Sequence, residues 1–482
     1  GIDDLADVQM ISPSFSLRTE KSPSETSFFI RGLGTTGSGN FEQSVGVYID
    51  GVYRGRPGAA LQDLKGIERM EILRGPQSSI FGRNNSAGAV AIHTLKPSDD
   101  FALKLDATYG SDALKQIRGS LSGPATDNLA YSIDFSHKET DTYIVNTQGE
   151  NDFIERHSIR AQFIYTPSLD TEIRVIADYS DSFDRCCIGP MIFVADADVP
   201  VFSSGTISNV SKGTATQRDI EGTLYDPFNH KVSTNQEYGE DATDKGISVQ
   251  LDHTFDNQMD FTAIASHREY VPDSVSIFEP TGSILQGRAE ESQAIDENSL
   301  ELRIAGSTDS INWLGGLYLF DQEIAQALLA SRAVPSGRAT MIDTDSSYTA
   351  ESQAVFGQLE YTPNEEWGFT AGLRYSQEEK YADIAATGLL AGASRTGAVA
   401  GDINLDDDEW MGDLSARREL GEQGSVYLRY GRGYKSGGMV LNPLGLAIDD
   451  LSYDPETVDS IELGAKLILL DGRLFLNGAL FS

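Results

Sequence analysis

The side chains with chemistry to offer in this sequence are cations and carboxylates rather than nucleophiles. Arg54 and Arg56, in Tyr53-Arg54-Gly55-Arg56, directly follow a short apolar run. Two guanidinium groups so close offer charge-assisted hydrogen bonds to an anion such as a chelate; an exposed turn is the other reading. Arg31 and Arg74 each end an apolar run, Phe28-Phe29-Ile30 and Met70-Glu71-Ile72-Leu73. Glu301 lies between Leu300 and Leu302, and Glu462 between Ile461 and Leu463. In a strand each carboxylate then points away from its apolar neighbours. Asp402, Asp406, Asp407, Asp408 and Glu409 gather the oxygen ligands that calcium takes, but their spacing matches no EF-hand loop, and a solvated loop is expected. Cys186 and Cys187 are adjacent and fit no zinc spacing. They form either a vicinal disulfide in an oxidising compartment or two plain loop thiols.

Enzyme signatures are missing. The sequence has no Gly-x-Ser-x-Gly, no His-Glu-x-x-His and no Walker loop. Its histidines (His93, His137, His157, His230, His253 and His267) are scattered among strands and loops. No catalytic residue, resident metal or cofactor is expected.

The elements that must carry these groups fall into two textures. The chain has 482 residues and a net charge of −36, which excludes a nucleic-acid binder needing a positive surface. Its mean hydropathy is −0.28, and no run approaches the roughly 18 apolar residues of a membrane helix. A membrane-spanning strand needs only about 10 residues, half of them polar, so a barrel keeps unremarkable hydropathy. Residues 1–98 are rich in Gly and Ser, with apolar runs such as Val45-Gly46-Val47-Tyr48-Ile49 and Ala89-Val90-Ala91-Ile92. They read as short buried strands of a small mixed α/β domain. Asp50-Gly51 between apolar runs predicts a hairpin turn.

After Pro97 apolar and polar residues alternate, as in Phe101, Leu103, Leu105, Ala107 and Tyr109. About fifteen such segments run from 100–110 to 473–482. Tight connections, such as 166–170, 256–257 and 470–472, alternate with long ones at 182–244, 272–296, 325–349, 381–407 and 434–456. That rhythm predicts a mainly β fold: a large antiparallel transmembrane barrel over 99–482, with short turns at one end and long loops at the other. A soluble or surface adhesive β protein is the alternative from another class, but no fixed-period repeat accompanies the alternation.

The first region also carries a specific series of motifs. Phe29-Ile30-Arg31-Gly32-Leu33-Gly34 is followed by Val47-Tyr48-Ile49-Asp50-Gly51-Val52-Tyr53. Then come Ile67-Glu68-Arg69-Met70-Glu71-Ile72-Leu73-Arg74-Gly75-Pro76 and Phe81-Gly82-Arg83-Asn84-Asn85-Ser86-Ala87-Gly88-Ala89-Val90. In this order and spacing they closely resemble the plug domain of TonB-dependent outer-membrane receptors. Tyr430 to Gly438 and Asp454 to Lys466 are similar to barrel segments of the same family.

The resemblance implies a plug (residues 1–98) inside a barrel of 22 strands, with about seven strands and the upstream TonB box outside this sequence. It implies TonB-dependent active transport, with TonB and its inner-membrane motor, outer-membrane lipid and a scarce small-molecule ligand as partners. An iron chelate such as a ferric siderophore is the leading ligand; a glycan, cobalamin or another nutrient is the alternative. The location implied is the outer membrane of a Gram-negative bacterium. Apical plug loops of the family touch ligand, which makes Thr35, Thr36, Gly37, Ser38, Tyr53, Arg54 and Arg56 candidate contacts. Arg31 and Arg74 are expected to pair with lumen-facing Glu301 and Glu462 and so to hold the plug.

Overall fold

The computed structural model describes the chain except residues 1–4, 21, 36–40, 61–65, 148, 187–199, 204–205, 210–229, 233, 235, 278–286, 335–336, 390–395 and 442–447. From Ala102 to Phe481, fifteen strands form one antiparallel sheet. They match the fifteen alternating segments of the sequence one for one, beginning with Ala102–Tyr109 and ending with Leu474–Phe481. Every strand but these two edges pairs on both sides, so its backbone polar groups are satisfied within the sheet.

The tight connections fall where alternation breaks. Leu470, Asp471 and Gly472 all take positive φ, a left-handed turn that joins Glu456–Leu469 to Leu474–Phe481. At the other end the expected long loops are corrected in part. Residues 325–349 and 381–407 are mostly strand, because Ile311–Val334, Gly337–Asn364, Trp367–Leu389 and Thr396–Glu419 run 23 to 28 residues. About 10 residues suffice to cross lipid, so the remainder stands above it as an outer wall. The two-residue period persists there but its phase inverts. Leu317, Leu319, Val355 and Leu373 point outward and are exposed, whereas further along the same strands Ile324, Leu328, Tyr348 and Ile384 point inward and are buried.

The N-terminal region adds a helix, Leu5–Ile11, a three-stranded sheet and a four-stranded mixed sheet. In the larger sheet Val45–Ile49 lies between Val52–Arg54 and Gly88–Thr94, with Ile67–Arg74 beyond. Phe15, Phe28, Ile30, Val45, Val47, Ile49, Val90 and Ile92 form its core. The predicted hairpin is present, with Asp50 at φ 51° and Gly51 at φ 81°. Side chains from strands spread across the large sheet converge on this small unit, so the sheet curls around it as a wall around a plug. Small residues allow the approach: a Cβ at wall residue Gly433 would lie 2.8 Å from Pro76 Cβ and 2.9 Å from Ser86 Cα.

Candidate functional site: the plug and the wall around it

The plug meets the wall through charged groups at several levels. Beside the Asp50-Gly51 hairpin, Asp50 accepts hydrogen bonds from Thr94 N (2.9 Å) and Thr94 Oγ1 (2.7 Å). Arg174 reaches in from the wall, with Nη1 3.3 Å from Asp50 Oδ1 and Nη2 donating to Gln162 Oε1 at 2.6 Å. All three side chains of the Asp50–Arg174–Gln162 chain are buried. Arg174 stands between outward Ile173 and Val175, so strand parity alone places it inside.

At a second level Arg31 Nη2 lies 2.6 Å from Glu462 Oε2, and its guanidinium sits 4.0 Å over the Phe481 ring. Tyr427 donates to the other oxygen of Glu462 at 2.6 Å. The remaining two members of the expected set are not brought together. Arg74 is exposed and makes no ion pair among the described residues. Glu301 faces inward as parity requires, but it pairs with Arg303, two residues along its own strand.

The third level is a buried network that the sequence reading missed. Glu42 and Arg83 of the plug face Glu378 and Lys380 of the wall. Lys380 Nζ is 3.0 Å from Glu42 Oε1 and 3.4 Å from Glu378 Oε2, and Arg83 Nη1 is 3.2 Å from Glu378 Oε2. Asn84 donates to Glu42 (2.7 Å), Tyr348 donates to Glu42 (3.2 Å), and Ser436 Oγ donates to Glu378 (2.6 Å). Burial by itself would raise the Glu42 pKa, but Lys380, Arg83 and Arg56 overcome it and hold the carboxyl well below its usual range. Four charges summing to zero, each with hydrogen-bonding neighbours, is the condition under which buried ions are tolerated. The signal was available: Leu373 and Tyr375 face outward, so Glu378 and Lys380 share the inward parity. Only the fold shows that Glu42 and Arg83 meet them.

The candidate apex residues are enclosed rather than displayed. Tyr53, Arg54 and Arg56 are all buried, which corrects the exposed-turn reading. The outer wall rises past them: Glu297 accepts from Gly55 N at 3.4 Å, and Arg54 Nη2 lies 3.8 Å from Asp178. Among the described residues Arg54 Nε and Nη1 have no hydrogen-bond partner. The cavity here is only about 10 Å³, shared with Asp244, Arg268 and Tyr270. Burial raises the Tyr53 phenol to about 12, so it stays a neutral donor and acceptor. Thr35 Oγ1 donates to Glu42 O at 3.0 Å. Thr36, Gly37 and Ser38 lie outside the described residues.

The acidic cluster is strand, not loop. Asp402 and Asp406 to Glu409 lie within Thr396–Glu419, where Asp402, Asp406 and Asp408 take one face and Asp407 and Glu409 the other, so the five do not converge on one ion. Tyr434 donates to Asp407, and Arg432 lies 3.5 Å from Glu409. Cys186 is disulfide-bonded, which excludes two plain thiols; Cys187 lies outside the described residues.

Comparison with known proteins agrees with this architecture. Residues 193–482 match the family described as TonB dependent receptor-like, beta-barrel, and residues 1–89 match the TonB-dependent Receptor Plug Domain. The pesticin receptor of Yersinia pestis is 22% identical over 441 residues, covering 90% of this chain and 58% of the receptor. The metal-pseudopaline receptor CntO of Pseudomonas aeruginosa is 22% identical over 442 residues, covering 86% of this chain and 56% of that protein. This chain thus spans less than two thirds of the length of these relatives. The crystal structure of the ferric yersiniabactin uptake receptor FyuA from Yersinia pestis superposes with a TM-score of 0.77 at 20% identity, covering 100% of this chain and 69% of that one. With its family matches covering both the plug and more than half of the chain on the barrel side, this protein belongs to the TonB-dependent receptors.

Proposed function

We propose that this protein is an active importer of a ferric siderophore or similar iron chelate in the outer membrane of a Gram-negative bacterium. TonB and its inner-membrane motor would drive it. Residues 1–98 act as the plug and residues 99–482 as the barrel. The observation that carries the reading is a folded plug fixed inside the strand wall by buried ion pairs. Removing one partner of a buried pair costs about 3–5 kcal/mol. Several such pairs make spontaneous opening rare, so passage calls for mechanical work. The outward apolar belt, with Leu319, Val355 and Leu373 exposed, suits a lipid boundary.

The names of relatives matched over most of the chain favour a metal chelate, whereas the vitamin B12 transporter BtuB of Vibrio vulnificus matches over only 29% of it. FyuA is a ferric yersiniabactin uptake receptor, and CntO is a metal-pseudopaline receptor. The ligand first meets the plug loop of Thr35, Thr36, Gly37 and Ser38 and the outer wall. Arg54 and Arg56 lie beneath, where Arg54 has unused donors for an anionic chelate. A cavity of about 10 Å³ holds at most one water, so the chelate reaches these cations only after the plug shifts. Tyr53 adjoins Arg54 in the chain, and the Arg31–Glu462 pair tunes how firmly the plug is held. The protein itself breaks no bond in the ligand.

The test is growth of a deletion strain under iron limitation, complemented with the full-length gene and supplied with single ferric siderophores. Loss of growth on one chelate, restored by the wild-type gene and not by Arg54→Ala/Arg56→Ala, supports the proposal. Unchanged growth on every chelate, with uptake of a different nutrient abolished, ends it.

A further inference from the structure

The outward surface holds a histidine pair that transport does not use. His137, on Leu129–Asp141, stands directly opposite His157, on Phe153–Ser168. Just below them the exposed Phe135 and Ile159 mark the edge of the apolar belt; just above, Glu139 and Glu155 face each other. The pair therefore sits where the wall leaves lipid and enters the polar layer.

The two rings are stacked with centroids 4.6 Å apart, and their Nδ1 atoms are 3.1 Å apart. Glu155 Oε1 lies 3.2 Å from His157 Nε2. A carboxylate there makes Nε2 the donor and leaves the Nδ1 lone pair directed at His137, the arrangement by which carboxylates orient metal-binding histidines. Two imidazole nitrogens on one tetrahedral zinc, each at about 2.0–2.1 Å from it, lie about 3.3 Å apart. The observed spacing needs only a small opening to admit the ion. Glu139, Glu155 and Asp181, the last opposite His157 on the next strand, surround the pair, and Lys115 offsets only Glu139. The local charge favours a cation.

We propose that His137 Nδ1 and His157 Nδ1 bind a divalent first-row transition-metal ion, with Glu155 as the positioning residue and water filling the open coordination sites. Imidazole donors select zinc, copper or nickel over magnesium and calcium. The ion would staple two strands at the foot of the 142–152 connection and stabilise the native barrel with the logarithm of its free concentration above the dissociation constant. A second cluster, His267, Glu269 and Asp296, offers one imidazole, and Lys245 Nζ already lies 2.8 Å from Glu269. It makes the internal control.

The experiment is calorimetric titration of Zn²⁺ into the full-length, chelator-stripped receptor in detergent micelles. One zinc per chain with micromolar affinity is expected. His137→Gln and His157→Gln should each weaken it by about tenfold or more, and Glu155→Gln by about tenfold. His267→Gln should change nothing, and tenfold excess Mg²⁺ should not compete. Unaltered zinc affinity in the His137→Gln/His157→Gln double variant overturns the proposal, as does the lack of any saturable binding below 1 mM. Heat-modifiable gel mobility verifies that each variant is folded, and growth on chelates is unaffected, so failure here leaves the transport reading intact.

Discussion

The lower and outer halves of the wall are built from the same strands with the same two-residue period, yet they are opposite in phase. In the lower half Leu317, Leu319, Val355, Leu359 and Leu373 face outward, against a polar interior. In the outer half Ile324, Leu328, Tyr348, Ala350 and Ile384 face inward, while Glu323, Glu351, Glu379 and Asp383 face out. The backbone fixes the period; the medium on each side fixes the phase. Lipid outside demands apolar side chains outward. Above it, water lies outside, and the strands bury apolar residues against one another, Met439, Leu441 and Leu451.

The strongest way to break this contrast lies where plug and wall share charges. Glu42→Ala leaves two buried cations, Arg83 and Lys380, sharing the carboxylate of Glu378 and should cost about 3–5 kcal/mol, read as a lower midpoint for loss of heat-modifiable mobility. A double-mutant cycle with Lys380→Ala should recover part of that loss; strict additivity would show that the pair is not coupled.

Next come the two apolar faces. Ile384→Ala, at a fully buried inward site, should cost about 2–5 kcal/mol. Leu373→Lys, on the lipid face, should cost about 2–4 kcal/mol in bilayers, whereas Tyr381→Lys, outward above the belt, should be nearly neutral. Equal costs at Leu373 and Tyr381 would erase the phase boundary.

Acid gives a smaller effect of definite sign. The Glu42 carboxyl is held below its ordinary value of 4.5, so its contribution is complete above pH about 4.5 and is lost as pH falls through the depressed folded value. The loss of plug retention caused by Glu42→Gln, measured by protease protection, should therefore be constant from pH 7 to 5 and shrink only in stronger acid. The smallest effect is expected on the outer face, where Asp321, Glu351, Glu379 and Asp406 stand opposite one another across four strands. Glu351→Gln should raise the melting midpoint slightly by relieving like-charge repulsion; a fall would mean that the ladder is neutralised by something bound.

Much of this was legible in the residues. Alternation located all fifteen wall strands because one face of each meets a medium unlike the other. Asp50-Gly51 announced its hairpin, since few pairs other than Asp-Gly tolerate successive positive φ. Glu462 was assigned inward by parity, and Arg31 lies against it. The outer-wall strands were misread as loops at 325–349 and 381–407, because polar outward residues resemble loop composition when the phase flips without notice. The Glu42–Lys380 and Asp50–Arg174 pairs were illegible for another reason: their partners are 338 and 124 residues apart in the chain.

What the sequence determined by itself was period, strand count and the inward or outward sense of each side chain, all of which follow from local backbone geometry and the contrast between lipid and water. What only the tertiary structure decided was which cation meets which carboxylate. That depends on the rotation and depth of the plug within the wall, and no local pattern encodes the relative placement of two surfaces joined only through a folded chain.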